Sequence, residues 1–278
     1  MVFVVLLAVA GWGTLPAQAP LGRLLIVGGG ESPPELARRF VELAGGPGRA
    51  RLAVVPMASA EPESSGIEKV AELTALGARA YVFLLTRAQA LDSARAASLD
   101  SATGIWFTGG DQTRLTAILT GSTVLGAMLR RYRAGAIVGG TSAGAAIMSD
   151  SMLTGNQRRP DSLGYYGDEF PVIARRTIEV VPGLGFLPGA IVDQHFLRRE
   201  RHNRLLSAVL ERPTLLGLGI DEGTAVEVEP DGTWRVLGRS SVLVPDMPGT
   251  PHASTSITRL LPFSAAVEAP FSSTMALA

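Results

Sequence analysis

The stretch Gly135-Ala136-Ile137-Val138-Gly139-Gly140-Thr141-Ser142-Ala143-Gly144-Ala145-Ala146 decides the fold. Gly135 to Val138 reads as a short buried β-strand and Ala143 to Met148 as the first turns of a helix, joined through Gly140-Thr141-Ser142-Ala143-Gly144. That join is G-x-S-x-G. At a sharp strand-to-helix elbow a serine is held in a strained turn that exposes its Oγ, and small neighbours let the backbone pass close to itself. The helix that follows aims free N–H groups at the same spot, so the Ala143 amide can stabilise a developing oxyanion. Segments rich in Gly, Ala and Ser are also common in tight loops of α/β proteins; the strand before and the helix after this one favour a nucleophile.

Working outward, the same strand-and-helix alternation fills the first half of the chain. Arg23 to Val27 is an apolar strand running into Gly28-Gly29-Gly30, and Pro33 to Ala44 has helical spacing at Leu36, Phe40 and Leu43. The glycine turn is not a dinucleotide fingerprint, because Pro33 stands where G-x-G-x-x-G needs its third glycine. Strands follow at Arg51 to Val55, Ala80 to Leu85 and Gly104 to Phe107, with helices at Ile67 to Leu76 and Ala88 to Leu99. Buried strands rich in Val, Ile and Leu, alternating with helices, predict a parallel sheet covered on both faces. Ligands bind such sheets at the carboxyl ends of the strands, where the glycine corners 28–30, 109–110 and 139–144 fall.

Beyond the elbow the pattern loosens. Residues 149–181, punctuated by Gly155, Pro160, Gly164, Gly167 and Pro171, read as a loop and hairpin excursion beside the site. Gly189 to Val192 is a strand leading into Asp193-Gln194-His195-Phe196, Arg198 to Leu210 a helix, and Leu215 to Ile220 a last core strand ending at Asp221-Glu222-Gly223. Alternation around Pro230-Asp231-Gly232 signals a β-hairpin, and Ile257 to Leu261 an edge strand in an otherwise tail-like extension over 245–278. At the other end, the apolar run Val2 to Ala10 and the Ala17-Gln18-Ala19 cleavage pattern give residues 1–19 the form of a secretory signal peptide, which predicts a secreted or periplasmic protein.

Composition narrows the chemistry. The chain has 278 residues, 46% of them hydrophobic, enough for a large core, here the single α/β domain of residues 20–244. Lys plus Arg and Asp plus Glu each total 25, with no long basic run, which disfavours nucleic acid as a partner. Without cysteine there is no disulfide, thiolate metal site or cysteine nucleophile. No metal-binding motif appears, and neither a metal nor a cofactor is called for.

A serine needs a base to take its proton, and only His195, His202 and His252 are available. His195 sits at a strand's carboxyl end, whereas His202 lies among arginines on a helix and His252 in the extension. The base in turn needs an acid, for which Asp193, Asp221 and Glu222 compete. Asp193 would share a face with His195 on a regular strand, and Asp221 and Glu222 should point to opposite sides. The order of serine before histidine before these last two acids differs from that of the α/β-hydrolases, whose acid precedes the histidine. The run Arg198-Arg199-Glu200-Arg201-His202-Asn203-Arg204 reads either as a solvated face supported by a Glu200–Arg204 pair, or as a carboxylate clamp beside the base.

Together, Phe107-Thr108-Gly109-Gly110-Asp111-Gln112, Gly140-Thr141-Ser142-Ala143-Gly144-Ala145, Asp193-Gln194-His195-Phe196 with Arg199, Arg201 and Arg204, and Gly219-Ile220-Asp221-Glu222 resemble the cyanophycinase family of serine peptidases, over residues 22 to about 240. Aspartyl dipeptidases are related to it but lack the arginine pattern. The resemblance implies a three-layer α/β/α sandwich with a mostly parallel, flavodoxin-like sheet, akin to the class I glutamine amidotransferases. It implies a triad of Ser142, His195 and Glu222, with an oxyanion hole at Gly110, Asp111 and Ala143. It further implies a substrate pocket of Gln112, Asp193, Gln194, Arg199, Arg201 and Arg204. The implied activity is exopeptidase cleavage of cyanophycin, a poly-aspartate whose β-carboxylates carry arginine, to β-aspartyl-arginine dipeptides. Alternatives are an α-aspartyl or isoaspartyl dipeptidase and a non-catalytic α/β binding protein; the intact serine, histidine and glutamate speak against the latter. The expected partners are a peptide with β-aspartyl linkages and a second copy in a homodimer, with no nucleic acid and no membrane once the leader is removed.

Overall fold

The computed structural model describes residues 22–157, 170 and 172–245, together with the backbone of two short strands at 258–259 and 268–270. The leader expected over residues 1–19, and most of the extension after 245, lie outside the described residues.

The strands β1 (Leu24–Val27), β2 (Arg51–Val55), β3 (Arg79–Val82), β4 (Gly104–Phe107) and β5 (Ile137–Thr141) pair in parallel in the order β1-β5-β4-β2-β3. All four residues of β1 are wholly buried, which explains its unbroken apolar sequence: both faces of the strand are covered. Leu25, Val27, Leu52 and Val54 pack with Phe40 of α1 (Pro34–Leu43) and Leu73 of α2 (Pro62–Ala75). Leu24, Ile26, Ala53 and Val55 face the opposite layer, which holds α3 (Arg87–Ala90), α4 (Ser93–Ala97), α5 (Gln112–Leu119), α6 (Thr123–Arg133) and α7 (Ala143–Ala146). The parallel sheet covered on both faces is the one the alternating pattern predicts, and the whole is the three-layer α/β/α architecture that the resemblance implies.

Some elements differ from their sequence expectation. One helix is predicted over 88–99, but the chain folds two, because Asp92 accepts a 2.8 Å bond from the Ala94 amide and starts a new helix. Helices α5 and α6 carry no sequence assignment above, although Asp111 and Ser122 cap them and Val124, Ala127, Met128 and Tyr132 bury one face of α6. The strands expected at 189–192 and 215–220 form, as β8 (Ala190–Gln194) and β9 (Leu216–Ile220), yet they belong to a second sheet. There β8 and β9 pair in parallel, and β12 (Ser241–Leu243) and β13 (Thr258–Arg259) extend the sheet antiparallel. The excursion contains the hairpin β6 (Ser151–Gln157) and β7 (Ile178–Pro182). The second hairpin, β10 (Thr224–Val228) and β11 (Thr233–Gly238), joins the main sheet antiparallel to β1, and β14 (Glu268–Pro270) covers its far edge.

Helix α8 (His202–Glu211) packs on the second sheet through Leu205, Ala208 and Val209, against Ile191 and Phe196. It begins at His202, four residues later than the spacing predicts; residues 197–201 form turns instead, with Glu200 at φ 51°.

The elbow at the end of β5 depends on two glycines without room for a methyl group. A Cβ on Gly144 would lie 2.4 Å from the Phe107 carbonyl oxygen, and one on Gly140 would lie 2.6 Å from that of Gly144. Gly144→Ala must therefore push α7 away from β4. It should destabilise the protein by about 1–3 kcal/mol, read as a lower urea midpoint with an unchanged slope.

Candidate active site

Ser142 follows the central strand β5, and its backbone stands at φ 53° and ψ −111°, a conformation that L-residues rarely adopt. Three hydrogen bonds hold it there. Its amide donates to the Val27 carbonyl at 3.0 Å, and its own carbonyl accepts from Ala145 at 2.9 Å and Ala146 at 3.0 Å. Strain kept by so many partners raises the side chain off the sheet end, as a nucleophile elbow requires.

His195 follows β8 in a second left-handed turn, at φ 50°. Its amide donates to the Gly28 carbonyl at 2.7 Å, which seats the end of the second sheet on the end of β1. The ring then meets both partners: His195 Nε2 lies 2.8 Å from Ser142 Oγ, and Nδ1 lies 2.6 Å from Glu222 Oε1. Gly29 and Gly30 form the floor beneath this row. A Cβ on Gly29 would sit 2.5 Å from the imidazole, and one on Gly30 2.6 Å from the Glu222 carboxylate. The glycine turn, which is no dinucleotide fingerprint in sequence, thus makes room for an imidazole and a carboxylate.

Of the three acids considered, Glu222 meets the base. Asp193 does not, because β8 ends at Gln194 and the left-handed turn swings His195 off the face it would share with Asp193. Asp221 points the other way, as the strand geometry predicts. Its Oδ1 accepts from the amides of Leu197 at 3.0 Å and Arg198 at 2.9 Å, and its Oδ2 accepts from Ser240 Oγ at 2.5 Å. Burial would raise the Asp221 pKa, but the Ser240 hydroxyl and the amides of Arg198, Glu222 and Leu197 outweigh it and lower the value.

The expected oxyanion hole needs one correction. The Asp111 amide is spent on the Ala58 carbonyl at 2.8 Å, and its carboxylate caps α5 on the Thr113 amide at 2.8 Å. Among the described residues, the amides of Gly110 and Ala143 find no such acceptor. Gly109, beside Gly110, lies against the serine: a Cβ there would be 3.5 Å from Ser142 Cβ.

The expected substrate pocket is also rearranged. Arg204 is 2% exposed and Asp193 fully buried. The guanidinium engages both carboxylate oxygens, Nε to Oδ2 at 2.8 Å and Nη2 to Oδ1, and lies 5.4 Å over the Phe170 ring. Arg201 Nη1 donates to the Gln194 carbonyl at 2.7 Å and also to its side-chain oxygen. Gln112 spends its amide group on the Leu153 and Thr154 carbonyls, at 2.8 and 2.9 Å, and so anchors β6. The solvated-face alternative therefore fails for Arg204, and so does the Glu200–Arg204 pair; a direct clamp role fails for Arg204 as well. Arg199 is exposed and, with Arg201, sets positive charge near the imidazole.

These charges bear on the base. Burial is the largest cause lowering the His195 pKa; the Glu222 hydrogen bond opposes it, and the Arg199 and Arg201 cations add to the lowering, leaving the value below 6.5. A neutral imidazole is the form that accepts a proton from serine.

A serine, a neutral imidazole and a carboxylate in one hydrogen-bonded row, beside two unengaged amides, is the arrangement of a serine hydrolase. The chain matches Peptidase family S51 over residues 24–236 and belongs to that family. It is thus a peptidase, as the resemblance predicts. It is 36% identical over 243 residues to the cyanophycinase of Trichormus variabilis, covering 85% of this chain and 78% of that one. Against the cyanophycinase of Synechococcus elongatus it is 37% identical over 233 residues, covering 81% and 68%. In fold it is similar to a peptidase from an acI-B1 actinobacterium, with a TM-score of 0.64 at 20% identity, covering 90% of this chain and 98% of that one.

The lowered His195 pKa has a measurable consequence. The rate at which a fluorophosphonate labels Ser142 should rise with pH along an acid limb centred below pH 6.5. In Arg199→Gln, which removes a cation that disfavours the imidazolium, the limb should move to higher pH.

Proposed function

We propose that the protein is an exported serine exopeptidase that hydrolyses cyanophycin to β-aspartyl-arginine dipeptides, with Ser142 as nucleophile, His195 as base and Glu222 as the orienting acid. The observation that carries this reading is the hydrogen-bonded row from Ser142 through His195 to Glu222, set beside the cations of Arg199 and Arg201. The identity to cyanophycinases over four-fifths or more of the chain supports the choice of substrate, and the apolar run and A-x-A pattern within residues 1–19 support export.

In this mechanism Ser142 Oγ attacks the carbonyl carbon of the scissile amide while its proton passes to His195 Nε2. The negative charge moves to the carbonyl oxygen, where the amides of Gly110 and Ala143 receive it. Glu222, bonded to Nδ1, fixes the tautomer and stabilises the imidazolium. On collapse the C–N bond breaks, and Nε2 returns its proton to the leaving amine. Water then attacks the acyl-serine, giving its proton to His195, which passes it to Ser142 as the ester bond breaks. Arg199 and Arg201 supply positive charge for substrate carboxylates, and Arg201 is held in place by Gln194 and by the Asp193 carboxylate 3.8 Å away.

Digestion of insoluble cyanophycin followed by mass spectrometry tests the reading: β-aspartyl-arginine should be the main product. Intact polymer alongside cleavage of α-aspartyl or isoaspartyl dipeptides would replace it with the dipeptidase alternative. Ser142→Ala should lower the rate by about a thousandfold or more with the fold retained. Glu222→Gln should lower it on the order of ten-thousandfold, by losing the tautomer control. Asp221→Asn should stay within about tenfold of wild type, because it keeps an oxygen for the same amides.

A further inference from the structure

The base and the acid come from different parts of the chain, and one side chain ties those parts together. His195 opens a tight turn in which its carbonyl accepts the Arg199 amide at 2.9 Å and the Phe196 carbonyl accepts the Arg201 amide at 2.9 Å. The first free amides after the histidine, those of Leu197 and Arg198, both point at Asp221 Oδ1. Asp221 is the residue before Glu222, so whatever fixes its backbone also fixes the acid. That backbone is clamped in turn: its amide donates to the Ser241 carbonyl at 3.1 Å, while its Oδ2 accepts from Ser240 Oγ. Ser240 is itself anchored, its amide donating to Thr224 Oγ1 at 2.9 Å, and the Arg239 amide donates to the Gly223 carbonyl at 3.1 Å.

We propose that Asp221 is a positioning residue for the reaction: it holds the imidazole of His195 and the carboxylate of Glu222 at bonding distance by joining the turn that carries the first to the strand end that carries the second, with Ser240 as its partner. A carboxylate that is 8% exposed and touches neither Ser142 nor the imidazole has no direct part in the chemistry. Yet its bonds converge on the one place where a small rotation would separate the imidazole from its acid. His195 needs such restraint because its left-handed backbone is strained and would relax if released. Ser240 lies four residues past the end of the family match at 236, so this half of the device comes from outside the matched region.

The test uses the full chain and does not depend on the substrate. It measures the fluorophosphonate labelling rate of Ser142, the far-downfield proton resonance of the His195 Nδ1–H bonded to Glu222, and the melting temperature. Asp221→Ala is expected to stay folded, lose the resonance and label about a hundredfold more slowly, the usual consequence of misplacing a reacting group by an ångström. Asp221→Asn, which still offers an oxygen to the Leu197 and Arg198 amides, is expected to restore the resonance and most of the rate. A folded Asp221→Ala with resonance and rate intact overturns the proposal. An Asp221→Asn as impaired as Asp221→Ala also overturns it, since charge rather than capping would then be what matters. If Asp221→Ala does not fold, Ser240→Ala decides: a severalfold slower labelling rate with a weakened resonance supports the proposal, and wild-type behaviour overturns it.

Discussion

The hydrogen bond from the His195 amide to the Gly28 carbonyl, 2.7 Å long, is the contact on which the site depends. Ser142 belongs to the main sheet and His195 to the second sheet, so their meeting requires that the ends of β1 and β8 be locked together. Glu222 stands at the crossing where the chain passes from β9 in one sheet to β10 in the other. Three residues drawn from two sheets and their junction form one row only when the sheets are docked. Small residues make this possible, because the backbone at 28–30 approaches the ring and the carboxylate more closely than any side chain would permit.

Below the row lies a layer whose charges are spent on one another. Asp193 and Arg204 are buried together, and the planar guanidinium satisfies both carboxylate oxygens. Removing Asp193 would leave the buried Arg204 guanidinium without its carboxylate, which costs far more than the pair contributes when intact. The pair is thus a fixed platform on which Gln194 and Arg201 rest, while the neighbouring Arg199 remains exposed.

Much of this was legible in the sequence, and the reasons differ by element. The parallel core shows in Leu24–Val27 and Arg51–Val55 because a doubly covered strand must be apolar throughout. The elbow shows because its glycines are forced by backbone crowding, and His195 because so few histidines compete. Glu222 could not be separated from Asp221 and Asp193 by spacing, since the choice rests on left-handed turns that identity does not encode at His195. The role of Gly29 and Gly30 was hidden for a related reason: glycine reports that something comes close without saying what. The helix starts at His202 and not at 198 because Glu200 takes a left-handed backbone, φ 51°, which interrupts the helical turn and which its identity does not encode. The Asp111 amide, matched to the oxyanion hole by motif, is taken by Ala58, a contact between separate strand ends that no local pattern reveals.

The crossing from β9 to β10 also sets when the protein can first act. The serine elbow is complete by residue 146, but the histidine lies at 195, the acid at 222 and the serine that braces the crossing at 240. As the chain folds, the main parallel strands can assemble while Ser142 still lacks both His195 and Glu222. The remaining contacts are long-range ones, which form late because the intervening chain must first be ordered. In a chain organised in this way the Ser142 hydroxyl meets the His195 imidazole only once the second sheet has docked on the first, so the row is a product of the last long-range contacts rather than of the elbow itself.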